Sequence, residues 1–468
     1  MQARQSGAPG LCHLTMVCVT PGRWGQGIGG ALVGALPAGA GATGWATRSP
    51  TTAWPCRPRT LPRYVDAGPG YDGSTVTTAD HTQWHELFHE VVETGLCTGC
   101  AACVMACPRD VLDYDHTTTY QPVNIDLATA ADDCTHGRRG CDICTRACPR
   151  FRAWEPEADL ALFGRARAPA EVAGISRGIW LTRATDPDVL AAGQDGGLVS
   201  ALLLWGLATG RIEGALTSRR SEARLWDAEP YLATTAAEVL EAAGSRYTYA
   251  AAPLAMKAAE ARKLRRLALV GMGCQASING TVRARGVNKY ARRIELVVGL
   301  LCSKSFDYEG MRAVLAEHGV ALDNVAKVNI KGRFSVWRRS SGERVDIPLK
   351  AMRAVARPGC TFCPDFAAEH ADISAGGLGQ DGAPAAGSSK WTLAIVRTGR
   401  GQEWLDGLVA DGAVEVRPGS DDPAALALLE RLAAVSRRRW PGLEGDDAGA
   451  AGDDGAVAPG RLPIVRTT

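Results

Sequence analysis

Two runs of four cysteines constrain this chain more than anything else in it: Cys97-x2-Cys100-x2-Cys103-x3-Cys107-Pro108 and Cys134-x6-Cys141-x2-Cys144-x3-Cys148-Pro149. So many thiols this close together must be bonded to one another or held by metal. A disulfide protein scatters even pairs through a small, loop-rich secreted domain behind a signal peptide. Here no charged segment leads into a clean apolar one. The most apolar early stretch, residues 25–41, is Gly-rich and broken by Pro37, so it cannot span a membrane. The reading is a cytoplasmic protein in a reducing compartment, with no membrane insertion, whose cysteines are metal ligands.

The first run has the bacterial ferredoxin spacing. Three close thiolates wrap one cubane, and the fourth, before proline, swings away to the other. The second run repeats the pattern with a longer first gap, whose Thr-His-Gly-Arg-Arg-Gly insert fits a surface loop. By this crossing rule Cys97, Cys100, Cys103 and Cys148 hold one [4Fe–4S] cluster. Cys134, Cys141, Cys144 and Cys107 hold the other. Zinc knuckles rarely use four cysteines so spaced and followed by Pro. Farther along stand Cys274, Cys302 and the pair Cys360-x2-Cys363. Spacing alone leaves these open between a third four-thiolate site, zinc, and plain packing. Cys274 and Cys302 each follow an expected strand, at loop positions where strand ends could converge. Cys12, Cys18 and Cys56 lack any partner pattern and read as inert.

Four regions emerge: an irregular or vestigial segment at 1–75, a small ferredoxin-like 2[4Fe–4S] domain at 80–155, an α/β (mixed α+β) core at 174–415, and a C-terminal helix with a disordered tail at 416–468. The apolar runs Leu267-Ala-Leu-Val270 and Ile294-Glu-Leu-Val-Val-Gly-Leu-Leu301 read as buried strands. Helical patterns at 197–209 and 236–243 lie between strands. The net charge of +2 argues against a nucleic-acid binder.

Each cluster passes one electron at a time, whereas soluble metabolic donors mostly give hydrides. A flavin is the usual converter. Gln194-Asp-Gly-Gly197 opens a helix where Gly-rich backbone could cradle phosphate, and Lys331-Gly-Arg333 supplies cations near another loop. A Gly pair is more often simply a turn.

From about 80 to 415 the chain resembles the beta subunit of coenzyme F420-reducing hydrogenase and dehydrogenase. It is most similar to the form with a fused two-cluster ferredoxin region, the input subunit of archaeal F420H2-oxidising complexes. The resemblance rests on Gln194-Asp-Gly-Gly-Leu-Val-Ser200, Ala243-Gly-Ser-Arg-Tyr-Thr248, Gly273-Cys-Gln275, Val298-Gly-Leu-Leu-Cys302, Lys331-Gly-Arg-Phe334, Cys360-Thr-Phe-Cys-Pro-Asp365 and Ala371-Asp-Ile-Ser-Ala-Gly376, in the family's order. It implies a third [4Fe–4S] cluster on Cys274, Cys302, Cys360 and Cys363, with FAD beside it. It implies a flavin- and cluster-binding core in which Gln194, Asp195, Gly196, Gly197, Ser200, Gly244, Ser245, Arg246, Tyr247, Thr248, Lys331 and Gly332 contact the cofactor. The implied reaction passes hydride between the deazaflavin coenzyme F420 and the flavin, then single electrons through three clusters to a redox partner protein or subunit. The chain departs from the family at Gly273, usually Pro, at Ser303-Lys304, often Met-Glu, and at Arg246, usually Lys. A Gly/Ala/Ser-rich insertion follows Gly379. The family also includes a plant chlorophyll-derivative reductase fed by ferredoxin. The alternatives are therefore a ferredoxin-dependent reductase of an organic substrate and a non-catalytic electron-transfer adapter.

Three further patterns carry other readings. His85-Glu-Leu-Phe-His89, preceded by His81, fits H-E-x-x-H, but without a third ligand pattern it reads as a solvent-facing helix. Gly25-Gln-Gly-Ile-Gly-Gly30 resembles an acetyl-CoA-binding turn, but the rest of that fold cannot fit before residue 80. The basic residues of 257–266, with Arg283, Arg285, Lys289, Arg292 and Arg293, could attract an anionic coenzyme tail or form a solvated face.

Overall fold

The computed structural model describes residues 82–377 and 391–440. The expectations for residues 1–75, for His81, for the insertion after Gly379 and for the tail lie outside the described residues.

The ferredoxin-like region contains two short helices, Ala102–Ala106 and Ile143–Ala147, each carrying the third cysteine of its run and ending just before the fourth. Both end for the same reason. Proline clashes with an α-conformation in the residue before it. Cys107 before Pro108 accordingly has ψ 113°, and Cys148 before Pro149 has ψ 119°. The chain leaves each helix at the fourth thiol and carries it away from the first three. Strands β1 (Leu112–Tyr114) and β2 (Pro122–Asn124) form an antiparallel pair between the two runs.

The core is an eight-stranded mixed sheet made from β3 (Gly178–Ala184), β4 (Gly214–Arg220), β5 (Ala228–Ala233), β6 (Leu267–Met272), β7 (Ile294–Leu300), β11 (Ile373–Gly376), β12 (Thr392–Val396) and β13 (Val414–Pro418), in the order β13-β3-β12-β11-β7-β6-β4-β5. The central strands β11, β7, β6 and β4 run parallel, and the outer pairs are antiparallel. Parallel strands covered on both faces need continuous apolar runs, which β6 and β7 supply. A separate antiparallel meander joins β8 (Val325–Ile330), β9 (Phe334–Arg338) and β10 (Arg344–Ile347).

Two expected boundaries fall inside elements. The boundary at 155 lies in the helix Trp154–Phe163, where Ala158 is fully buried and meets Gly280 of the helix Gly273–Ala284. The boundary at 415 lies in β13, which pairs with β3 along its whole length. The final helix Pro423–Arg437 sets Leu429 and Ala433 against Phe366, Leu393 and Ile395, so it belongs to the core as well. Among the described residues no helix is long and apolar enough to cross a membrane.

Candidate functional site

The two cysteine runs fold into two thiol-lined cavities, and the four thiols around each come from both runs. Cys97, Cys100, Cys103 and Cys148 line one. Cys107, Cys134, Cys141 and Cys144 line the other. The crossing follows from the pre-proline kinks at Cys107 and Cys148. Among the described residues every cysteine is free, with no disulfide. Burial, opposed in part by Arg357, pushes the Cys97 thiol up to about 11. Burial raises Cys103, Cys144 and Cys148 further, and the neighbouring thiols add to the rise. Four buried thiolates repel one another unless a cation stands between them, and bound metal reverses that logic. This donor set therefore fits a metal cluster.

The remaining four cysteines also converge. Burial raises Cys302 well above its usual range, and the nearby thiols of Cys360 and Cys363 raise it further. Cys274 is shifted the same way by burial, Cys100, Cys363 and Cys360. One expectation needs correction. Cys274 is not on a loop but in the first turn of the helix Gly273–Ala284, directly after β6. At this strand-to-helix junction Gly273 leaves room for the Asp365 carboxylate, which a Cβ there would strike. Cys302 follows β7, and Cys360 sits in the short helix Pro358–Thr361.

Neighbouring thiol sets lie within electrostatic reach of one another. Cys100 of the first cavity is close enough to raise the Cys274 thiol, and Cys144 of the second is close enough to raise Cys103. Two arginines that sequence reasoning passed over fill the join. Arg150 is 3% exposed and donates from Nη2 to Cys363 Sγ at 3.2 Å. Arg357, equally buried, donates to the Thr98 carbonyl at 3.0 Å and to Tyr120 O at 2.5 Å, with its guanidinium 4.0 Å from the Tyr249 ring centre. The available sequence signals were slight: Arg150 lies two residues after Cys148, and Arg357 three before Cys360.

Of the expected flavin contacts, Asp195 lies beyond the end of β11, where Gly377 packs against its carboxylate and Gly376 against Leu301, the neighbour of Cys302. Gly197, at φ +77°, begins the helix Leu198–Ala208 with no side-chain cap, so first-turn N–H groups remain for a ligand. Ser200 is buried in that turn. Gly196 packs between β3 and β12, where a Cβ would strike the Thr182 carbonyl. Asp195 accepts from Lys331 Nζ at 3.3 Å. Lys331 and Gly332, at φ +73°, form the turn between β8 and β9. Burial pushes Tyr247 up to about 12, with the Asp195 charge adding to it, and its hydroxyl accepts from Ile330 N at 3.2 Å. The loops of 194–197, 245–247 and 331–332 thus converge. Gly244 is left-handed at φ +85°, and Thr248 bridges to Phe306. Arg246 is held at about 10 by burial and by Arg220, and Nη2 donates to Ser218 O at 2.9 Å. Gln194 Nε2 and Arg246 Nε are buried without a protein partner. Such orphans suit a site that a polar ligand completes.

The basic stretch is largely occupied. Lys257 pairs with Asp110, Arg266 with Glu213, and Lys289 with Glu260. Arg285 pairs with Glu157 and donates to the carbonyls of Thr145, Cys148 and Phe151. Its work is to fasten the ferredoxin-like region to the core.

The sequence pattern described as coenzyme F420 hydrogenase/dehydrogenase, beta subunit N-term, matches residues 179–257, and the C terminus pattern matches 264–422. The 4Fe-4S dicluster domain pattern matches 96–151. The coenzyme F420 hydrogenase subunit beta of Methanothermobacter thermautotrophicus is 33% identical over 57% of this chain and 94% of its own length. A subunit of the F(420)H(2) dehydrogenase of Methanosarcina mazei is 28% identical over 75% of this chain and 91% of its own. The coenzyme F420-dependent sulfite reductase of Methanocaldococcus jannaschii is 28% identical over 75% of this chain, which spans 50% of that protein. A chain of the F420-reducing [NiFe] hydrogenase complex from Methanosarcina barkeri superposes with a TM-score of 0.53 at 28% identity, covering 57% of this chain and 91% of that one. The protein belongs to the family of coenzyme F420 hydrogenase/dehydrogenase beta subunits, with a 4Fe-4S dicluster region preceding the family core.

Proposed function

We propose that this protein is an oxidoreductase that exchanges electrons between reduced coenzyme F420 and a redox partner subunit, using FAD and three [4Fe–4S] clusters, in the reducing interior of the cell. The observation that supports this reading is the pair of four-thiol cavities, with Arg150 reaching from one of them to Cys363 of the remaining four cysteines. When bound, the flavin supplies the exchange of a hydride for single electrons, and the clusters supply their passage. The chain's own residues bind and orient. Cys97, Cys100, Cys103 and Cys148 would hold the middle cluster, Cys107, Cys134, Cys141 and Cys144 the outer one, and Cys274, Cys302, Cys360 and Cys363 the one nearest the flavin. The uncapped turn at Gly197 and Ser200 would take phosphate oxygens. Gln194, Asp195 and Lys331, with Gly244, Ser245, Arg246, Tyr247, Thr248 and Gly332, would frame the flavin. The ferredoxin-like region at 80–155, the core from 174 through β13 and the closing helix would act as one electron-transfer body.

The test is anaerobic purification with iron, sulfide and flavin counted per chain, followed by reduction with chemically reduced F420. About twelve irons and one FAD, with bleaching by reduced F420, support the reading. About eight irons and no flavin would leave only an electron-transfer adapter. Bleaching by reduced ferredoxin and not by reduced F420 would point to a ferredoxin-fed reductase instead.

A further inference from the structure

The first described helix has chemistry that the redox row does not use. An α-helical turn, Trp84–Leu87, runs directly into a π-helical one, Phe88–Val92. Such wide turns are rare and gather at functional sites. Trp84, Leu87, Val91 and Val92 face inward and are buried. His85 and His89 share the outer face, with ring centres 4.5 Å apart. Asp132, from the turn that leads to Cys134, reaches both rings. Its Oδ2 lies 3.5 Å from His85 Nδ1 and 3.0 Å from His89 Nε2.

These separations have a coordination meaning. Nitrogen and oxygen ligands at about 2.0–2.1 Å from zinc, in a tetrahedron, stand roughly 3.3–3.4 Å apart. The two observed edges bracket that value, and the three ligand atoms all lie within 4.8 Å of one another. The surrounding shell agrees. Glu93 Oε2 lies 2.6 Å from His89 Nδ1 and orients the ring with Nε2 toward Asp132. That is the carboxylate–histidine arrangement found behind metal-bound imidazoles.

We propose that His85, His89 and Asp132 form a separate mononuclear site for a divalent transition cation of the zinc type, with water completing the open position. The donors are two imidazoles and a carboxylate, unlike the thiolates that iron clusters take, so the two kinds of metal sort by ligand chemistry. The site clips the first helix to the 130–134 turn, alongside the bond from Trp84 Nε1 to the Ala131 carbonyl at 2.9 Å. The cation therefore braces the segment that presents Cys134. The site is not a peptidase, although it lies in an H-E-x-x-H sequence. Glu86, where the general base would stand, accepts from the Gln83 backbone N–H at 2.8 Å and caps the helix.

The full-length, cluster-loaded protein is dialysed against zinc and then against a weak chelator, and zinc and iron are counted per chain. Zinc-edge X-ray absorption reads the ligand shell. The expected result is about one zinc per chain in a nitrogen/oxygen shell near 2.0–2.1 Å, with no sulfur near 2.3 Å. His85→Ala/His89→Ala should lose that zinc and keep its iron. Glu93→Gln, which leaves all three ligands in place, should weaken zinc binding about 10- to 100-fold. No retained zinc would overturn the site and leave an ion pair of His89 with Asp132 and Glu93. A sulfur shell, or zinc retained by the double variant, would overturn it too, since the cation would then sit on cysteines.

Discussion

Arg150 donates a hydrogen bond to Cys363 Sγ across 213 residues of sequence, from a position two residues beyond Cys148. One buried cation thus touches Cys363 while its own backbone N–H serves Cys148 of the first cavity, whose wall it lines. It is held over the Trp154 ring, 4.7 Å from the centre. A fixed positive charge and an N–H donor at a cluster sulfur both favour the reduced, more negative state. If Cys363 holds a cluster as proposed, Arg150→Met should lower that cluster's potential. A charge-assisted hydrogen bond worth roughly 1.5–3 kcal/mol corresponds to about 60–130 mV for one electron. EPR-monitored redox titration reads this directly. An unchanged potential would mean that Arg150 serves packing alone.

The proposed third cluster predicts a loss confined to its own ligands. Cys302→Ser should reduce iron by about four atoms per chain while the EPR signals of the ferredoxin pair survive. Unchanged iron would remove Cys302 from the ligand set.

The crossing of the first two sets makes a sharper demand. Cys107→Ser changes a residue of the first run, yet it should perturb the cluster shared with Cys134, Cys141 and Cys144. Cys148→Ser should perturb the one shared with Cys97, Cys100 and Cys103. Potentiometry of the two single variants distinguishes the pairs, and the reverse pattern would contradict the cavities.

The proposed flavin site should respond to backbone room and to charge separately. Gly196→Ala would press a methyl group onto the Thr182 carbonyl and the Thr392 N–H. It should cost roughly 1–3 kcal/mol of stability and most of the bound flavin. Lys331→Ala leaves the backbone alone and should lower flavin retention with little loss of stability. Flavin fluorescence after acid release, beside a denaturant titration, checks both. Full flavin in both variants would place the cofactor elsewhere.

Behind the third set, Asp159 pairs with Arg167 at 2.7 Å and with buried His370 at 3.0 Å. Burial pushes its carboxyl up, but the bonds from Arg167 and His370 outweigh this and hold it below the usual range. A depressed folded-state pKa stabilises above the unfolded value and is lost as pH falls through the folded one. Asp159→Asn should therefore cost about 3–5 kcal/mol at neutral pH, the usual penalty for breaking a buried pair. The gap from the wild type should narrow below about pH 4. A gap independent of pH would assign the loss to packing.

The sequence by itself determined the chemistry of the first two thiol sets. Their cysteines lie in short runs, and the proline after each fourth cysteine dictates a local kink that carries that thiol off its own run; that it then lines the cavity of the other run is a tertiary fact. The buried strands β6 and β7 were legible for a similar reason, since a parallel strand covered on both faces must be apolar throughout. Only the tertiary structure decided the rest. Cys274 and Cys302 follow the adjacent parallel strands β6 and β7, and the segment holding Cys360 and Cys363 is tied to them where the Cys302 N–H binds the Phe366 carbonyl at 2.9 Å. Resemblance to a family, not spacing, indicated that set. Cys274 proved to be helical because the helix Gly273–Ala284 begins directly at the end of β6, with no loop between them. Strand β13 joins the sheet through pairing with β3, more than two hundred residues earlier, which no local pattern at 415 records. Arg150 and Asp132 look like ordinary surface charges in the sequence. Their roles come from what the folded chain sets beside them, because a charge acts through the partners within a few ångströms of it.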